Sequence, residues 1–199
     1  LGMSYVFQTY GLQHTTASKN AFITTLYVII VPFLHWVLNG VKPRKNNLTA
    51  AVLAVIGLAF ISLNGEHGIN LGDVLTFLCS VFLAWHMVYV DRYTRHRDPV
   101  LLTVLQIMVS ALLFWVLAFA TEGVRDVREL LDWQTAWPLL YLGLIASMLG
   151  FLVQNVGQKY TNPSSASLIL SLESVFGVLF GVFFFHEILN LRLITGFVL

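Results

Sequence analysis

One stretch of this chain occurs twice, and an odd number of apolar spans separates the copies. Residues 8–26 read QTYGLQHTTASKNAFITTL and residues 154–172 read QNVGQKYTNPSSASLILSL, at a constant offset of 146 with no gap. Gln8/Gln154, Gly11/Gly157, Thr15/Thr161, Ser18/Ser164, Ile23/Ile169 and Leu26/Leu172 are identical pairs. His14/Tyr160, Phe22/Leu168 and Thr25/Ser171 are similar ones. Five hydrophobic spans fit into one period, so the two copies face opposite sides of a bilayer. Inverted-topology repeats of this kind build many secondary transporters, with the substrate site near the midplane where the halves meet.

A membrane helix needs about 20 predominantly apolar residues. That pattern predicts full spans at 18–38, 48–64, 72–91, 100–121, 137–157 and 165–186, with partial spans at 1–12 and from 190 onward. Only 11% of the residues are charged, where soluble domains carry about a quarter. The fold class is therefore an all-α polytopic membrane protein of two inverted repeats of five helices, the first and last incomplete. The repeats divide as 1–66 and 67–199. The chain opens on LGMSYVFQTY and stops at GFVL inside an apolar stretch, which predicts a fragment of a longer protein.

Basic residues in short loops set orientation. Lys42, Arg44, Lys45, Arg92, Arg95, Arg97 and Lys159 fall in three loops on one side, seven of the eleven Lys and Arg. Lys19, Arg125, Arg128 and Arg192 fall on the other, with most of the acids. The first side is thus read as cytoplasmic and the membrane as the inner, plasma membrane. The longest loop, 122–136, has Val124, Val127, Leu130 and Leu131 at helical spacing, which predicts a short interfacial helix anchored by Trp133 and Trp137. A net charge of +1 offers no basic patch for nucleic acid. The single cysteine, Cys79, permits no intrachain disulfide.

Glu173 stands near the centre of its span, whereas every other acid is in a loop or near a span end. An ionisable group at that depth costs about 2.5–3.5 kcal/mol on insertion scales, so it should face a cavity or a partner. Proton coupling or substrate contact is one role for it, and clamping neighbouring helices is the other. Its repeat mate is Tyr27. His35 and His86 could titrate near neutral pH, yet each adjoins a Trp, as residues of an interface belt also do. Neither has ligand-spaced partners for a metal. Gln106, Gln154 and Asn155 are intramembrane amides of the kind that bond across helices, and Gln8 is the mate of Gln154. Ser167, Ser171, Ser174, Gly177 and Gly181 form a small-residue stripe, with Gly143-xxx-Ser147 a looser crossing motif. Pro32 should kink the span 18–38, and Pro163 marks a helix start with Ser164 or Ser165 as cap. The chain has no P-loop, dinucleotide glycine fingerprint, HExxH or GxSxG, so no ATP-driven pump or soluble-enzyme chemistry is written in it.

The block Tyr160 to Glu187 resembles the signature region of the drug/metabolite transporter superfamily, EamA-type. Ala166-Ser167-Leu168, Leu172-Glu173 and the closing Glu187 carry the likeness. The first-half tract TTASKNAFITTLYVIIVPFL is similar more loosely, AVIGLA at 54–59 fits the glycine helix, and Gly72-Asp73-Val74-Leu75 looks like the start of helix six. The resemblance implies that the chain runs from the end of helix three to the start of helix ten of a ten-helix protein. Ser174 departs from the family's usual Pro, Tyr27-Val28 from its Glu-Pro, and Gly40-Val41 from its closing Gly-Glu.

The expected function is a permease or exporter of small metabolites such as amino acids, working by alternating access. An uncoupled facilitator or multidrug efflux carrier is the alternative, and a membrane enzyme or scaffold a remote one. Glu173, Tyr27, Gln154 and Gln106 are expected to line the cavity, with Trp85 and His86 in its wall. No cofactor, metal or catalytic residue is expected. The partners are a small-molecule metabolite and the lipid bilayer, and a homodimer is compatible with the pattern.

Overall fold

The computed structural model describes residues 1–62, 69–121 and 132–185. Its elements are helical: α1 (Gly2–Leu12), α2 (Ala17–Thr25), α3 (Tyr27–Asn39), α4 (Lys45–Ser62), α5 (Leu71–Thr94), α6 (Pro99–Thr121), α7 (Trp133–Leu140), a π-helical stretch (Tyr141–Leu149), α8 (Gly150–Tyr160) and α9 (Pro163–Phe185). Lys19–Asn39, Leu71–Thr94, Pro99–Thr121 and Trp133–Tyr160 are long and apolar enough to cross a membrane. The 23 residues of α6 extend about 35 Å at 1.5 Å per residue, enough for a hydrocarbon core of about 30 Å. Among the described residues the spans lie where the apolar runs predict them. The predicted interfacial positions Val124 to Leu131, Glu187 and the last partial span lie outside the described residues. Trp133 opens α7 and stacks on Trp137 at 5.9 Å, so this end of the loop already belongs to the spanning helix.

Short-range chemistry sets the helix boundaries. The Thr16 hydroxyl accepts from the Lys19 amide at the start of α2. Asp98 accepts from the Val100 amide at 2.9 Å, with Pro99 as first residue of α6. Gly40 ends α3 in the left-handed region, φ 70°, a conformation that favours glycine. At α9 the cap is Asn162, whose Oδ1 accepts from the Ser165 amide at 2.9 Å. This corrects the reading of Ser164 or Ser165 as cap: Pro163 suits the first helical position, which makes the residue before it the cap. Pro32 lies inside α3, and the discontinuity falls at Leu26, between α2 and α3. Proline cannot donate to the carbonyl four residues back, so the weakened ladder lies on its N-terminal side.

The two copies of the repeated stretch build the same corner. In each, a helix ends, a short turn follows, and a side-chain cap opens the next helix. Thr16 caps Lys19 and Asn162 caps Ser165, and these positions are repeat mates. The following backbone bonds correspond as well, Asn20 N to Thr16 O at 2.8 Å and Ala166 N to Asn162 O at 2.9 Å. Thr25 and Ser171, also mates, are both buried and both donate back to their own helix.

The chain groups into two compact units, one of residues 3–89 and 161–199, the other of 1–2 and 90–160. In the first, α3 packs against α9, and α4 packs against α2, α3 and α9. Its core joins Val31 of α3, Ala84, Met87 and Val88 of α5, and Ala166 of α9, flanked by Tyr27, Ile30, Leu34 and Leu170. In the second, α6 packs against α8 and the π-helical stretch. The buried positions of α6 are Pro99, Thr103 and Ser110, so this apolar helix turns its few polar groups inward. That is the arrangement expected where lipid, not water, surrounds the outside.

The stripe of small residues on α9 starts with Ser167 and Ser171, both buried. The side chains at Ser174, Gly177 and Gly181 lie outside those described. Gly143 makes no crossing among the described residues: a Cβ there would meet nothing within 4 Å. The close approach belongs instead to Gly72 and Gly11. A Cβ on Gly72 would stand 2.6 Å from Gly11 O, 2.7 Å from the His14 carbonyl carbon and 2.8 Å from Thr15 N. These are backbone atoms and cannot swing aside. Gly72→Ala should therefore lower stability by about 1–3 kcal/mol, as overpacking does. Gly143→Ala should be neutral or gain up to about 1 kcal/mol in helix propensity. Thermal unfolding of the two variants in detergent checks the contrast, and equal midpoints would contradict the close approach.

Candidate functional site

Glu173 is on α9 and its side chain is exposed. Tyr27 and Tyr5 belong to the same unit as Glu173. Tyr27 is the first residue of α3, half-buried at the edge of the α3–α5–α9 core. The structure thus brings the two repeat mates, Tyr27 and Glu173, into one neighbourhood on a pair of packed helices. A carboxylate with phenol donors near it can hold a proton or the ammonium group of a small molecule.

The other predicted residues are distributed differently. Trp85 is 47% exposed and stacks on Tyr89 at 6.1 Å. His86 is half-buried on the side of α5 opposite Ala84 and Val88, which face the core. Gln106 and Gln154 belong to the other compact unit, and both are half-buried. Asn155 is fully buried and donates from Nδ2 to Thr103 Oγ1 at 2.8 Å, tying α8 to α6. Gln158, which sequence reasoning missed, is 2% exposed. The signal for it was its position three residues after Asn155, on the same helical face.

A second feature escaped the sequence. Lys19 and Asp73, both read as charges at the non-cytoplasmic ends of their spans, pair at 2.6 Å, with side chains 13% and 6% exposed. Thr15 Oγ1 donates to Asp73 Oδ1 at 2.8 Å. The Asn70 amide donates to Asp73 Oδ2 at 3.0 Å while the Asp73 amide donates to Asn70 Oδ1 at 2.9 Å. Asp73 therefore closes a capping box on α5 and also holds the α1–α2 corner. One turn further, Asn20 Nδ2 donates to Thr76 Oγ1 at 2.8 Å, and Thr76 donates to Gly72 O at 2.7 Å. The spacing Asn70-x-x-Asp73 was a legible capping signature. The long-range partner Lys19 was not.

Comparison with known proteins agrees with the resemblance read from Tyr160 to Glu187. The model of the EamA-like transporter family matches residues 1–63 and 70–199. A protein of Archaeoglobus fulgidus, named as an uncharacterized transporter, is 33% identical over 188 residues, covering 94% of this chain and 59% of its own length. The uncharacterized transporter YoaV of Bacillus subtilis is 26% identical over 204 residues, covering 98% of this chain and 68% of its own. This chain accordingly spans 59–68% of the length of these two curated relatives. One solved structure shares the fold with a TM-score of 0.76 at 14% identity, over 98% of this chain and 68% of that one. With membrane-length helices and a family match along nearly all its residues, the chain belongs to the EamA-like transporter family.

Proposed function

We propose that the whole protein is a secondary transporter of small metabolites bearing an ammonium group, amino acids among them, and that it works by alternating access between two inverted repeats in the plasma membrane. The observation that carries the reading is that the repeat mates Tyr27 and Glu173 sit on two packed helices, α3 and α9. Residues related by a two-fold axis meet only close to that axis, and substrate sites of inverted-repeat carriers lie there. The helices that carry them, α3 and α9, are themselves repeat mates and pack together. The two stretches matched by the family model, 1–63 and 70–199, support division of the chain near residue 66. Glu173 supplies the anionic contact or the coupling proton, and Tyr27 a neutral donor. Trp85 and His86, in the same unit, supply the aromatic wall in this reading.

The test is uptake into proteoliposomes holding the full-length protein. A pooled set of amino acids and other metabolites is offered with and without a pH gradient, and the lumen is read by mass spectrometry. Accumulation of amine-bearing compounds that needs the gradient is the expected result. Flux indifferent to the gradient would leave a facilitator, and no flux of any compound would end the transport reading.

A further inference from the structure

Gln158 and Asn155 are buried more deeply than anything the transport reading uses. Gln158 is 2% exposed and Asn155 fully buried. Among the described residues, neither the Nε2 nor the Oε1 of Gln158 meets a hydrogen-bonding partner, and neither does the Oδ1 of Asn155. An amide buried without partners costs free energy of a few kcal/mol, about 1–3 per group in proteins. Membrane interiors offer no bulk water to relieve it. Yet the same face of α8 is otherwise well ordered: Asn155 Nδ2 binds Thr103 Oγ1 at 2.8 Å, and Thr103 in turn donates to Pro99 O at 2.7 Å. Thr103 thereby fixes the orientation of Asn155 and leaves its Oδ1 turned away from α6's hydroxyl. These residues all belong to the unit of 1–2 and 90–160.

We propose that Gln158 and Asn155 form a recognition site for an uncharged carboxamide-like group on the transported molecule, with Thr103 as a positioning residue. The proposal rests on the transport reading. What the pair offers is two acceptors, Gln158 Oε1 and Asn155 Oδ1, beside the N–H donors of Gln158 Nε2. A carboxamide answers it with two N–H donors and one carbonyl. A carboxylate would set its charge against the two amide oxygens. An ammonium would bring three donors and no acceptor for Nε2. Both flanking positions, Gly157 and Lys159, are exposed, so the neighbouring Lys159 charge is spent outward. Gln158 lies two residues before the end of α8, next to Lys159, at the end that the basic-residue bias assigns to the cytoplasm. The site is thus placed near the cytoplasmic end of its span.

Thermal unfolding of the full-length protein in detergent tests this with three probes of one shape: propionamide, propionate and propylammonium. Propionamide should raise the midpoint saturably through Gln158, whereas any shift by propylammonium should come from Glu173 and survive in Gln158→Met. Gln158→Met, close in shape and without polar atoms, should lose that shift, with affinity down about tenfold or more. Without any probe, Gln158→Met should be as stable as the parent or more so, because an unsatisfied group has been removed. Asn155→Leu should weaken the shift as well. An equal propionamide shift in parent and Gln158→Met overturns the proposal, as does an ion shift that Gln158→Met removes. A loss of stability in Gln158→Met without probe also overturns it, since the amide would then be serving an ordered water or the fold. Binding is read apart from flux. Uptake without amide preference sinks the site alone, and amide binding without uptake sinks the transport reading alone.

Discussion

Replacing Glu173 by glutamine is expected to abolish gradient-driven accumulation by the full-length protein while leaving it folded. Glutamine keeps the shape and hydrogen-bonding reach of the side chain and removes only its titration. Glu173 is exposed on α9 and outside the buried core of its unit, so packing loses little. Substitutions of that kind stay within about 0.5 kcal/mol. A carrier that must pick up and release a proton, or pair with an ammonium, loses that step altogether. Accumulation should fall by about a hundredfold, equivalent to ~2.8 kcal/mol. Tyr27→Phe removes a donor beside the carboxylate and keeps the ring, so a partial loss is expected. The paired readout is uptake together with the unfolding midpoint. Unchanged uptake in Glu173→Gln would make the carboxylate a passenger on the helix surface.

The second large effect is structural. Asp73→Ala should destabilise the protein by about 3 kcal/mol. Breaking a buried ion pair by removing one partner typically costs about 3–5 kcal/mol, because the other charge is left desolvated. Asp73 is tightly covered by its neighbours yet lies at the rim of its unit, near water, which points to the lower end of that range. The same substitution also opens the capping box at the start of α5, worth about 0.5–2 kcal/mol by itself. The contributions overlap and do not simply add. Lys19→Met combined with Asp73→Leu should recover part of the loss, since no lone charge remains. A double-mutant cycle read by thermal unfolding separates these terms, and additive single effects would show that Lys19 and Asp73 do not interact.

Much of the fold was legible because apolar length is a blunt and sufficient signal in this class of protein. The runs at 18–38, 72–91 and 100–121 became helices within a few residues of their predicted ends. Caps were legible where a proline or an Asx residue announced them, at Asp98 and Asn162. Position and pairing were harder. Pro32 announced a break, and the discontinuity falls at Leu26, two positions before the carbonyl that the proline leaves unpaired. Gly143-xxx-Ser147 had the spacing of a crossing and no partner in contact, whereas Gly11 and Gly72, 61 positions apart, made one. Spacing along one helix cannot say which helix comes opposite. The same limit hid the Lys19–Asp73 pair, whose members are 54 positions apart. Of the candidate site, the Tyr27–Glu173 neighbourhood was legible through the repeat. Gln158 was overlooked because a glutamine beside a lysine at a span end reads as surface.

The twin corners at Thr16 and Asn162 carry one more consequence. Each carries capping bonds between residues at most four positions apart, and the first is tied in addition to α5 through Asp73. The local caps are blind to direction: they form equally well pointing into the cell or out of it. In the reading that puts the basic loops in the cytoplasm, the direction in which a half is threaded is set by the cations around Lys42–Lys45 and Arg92–Arg97.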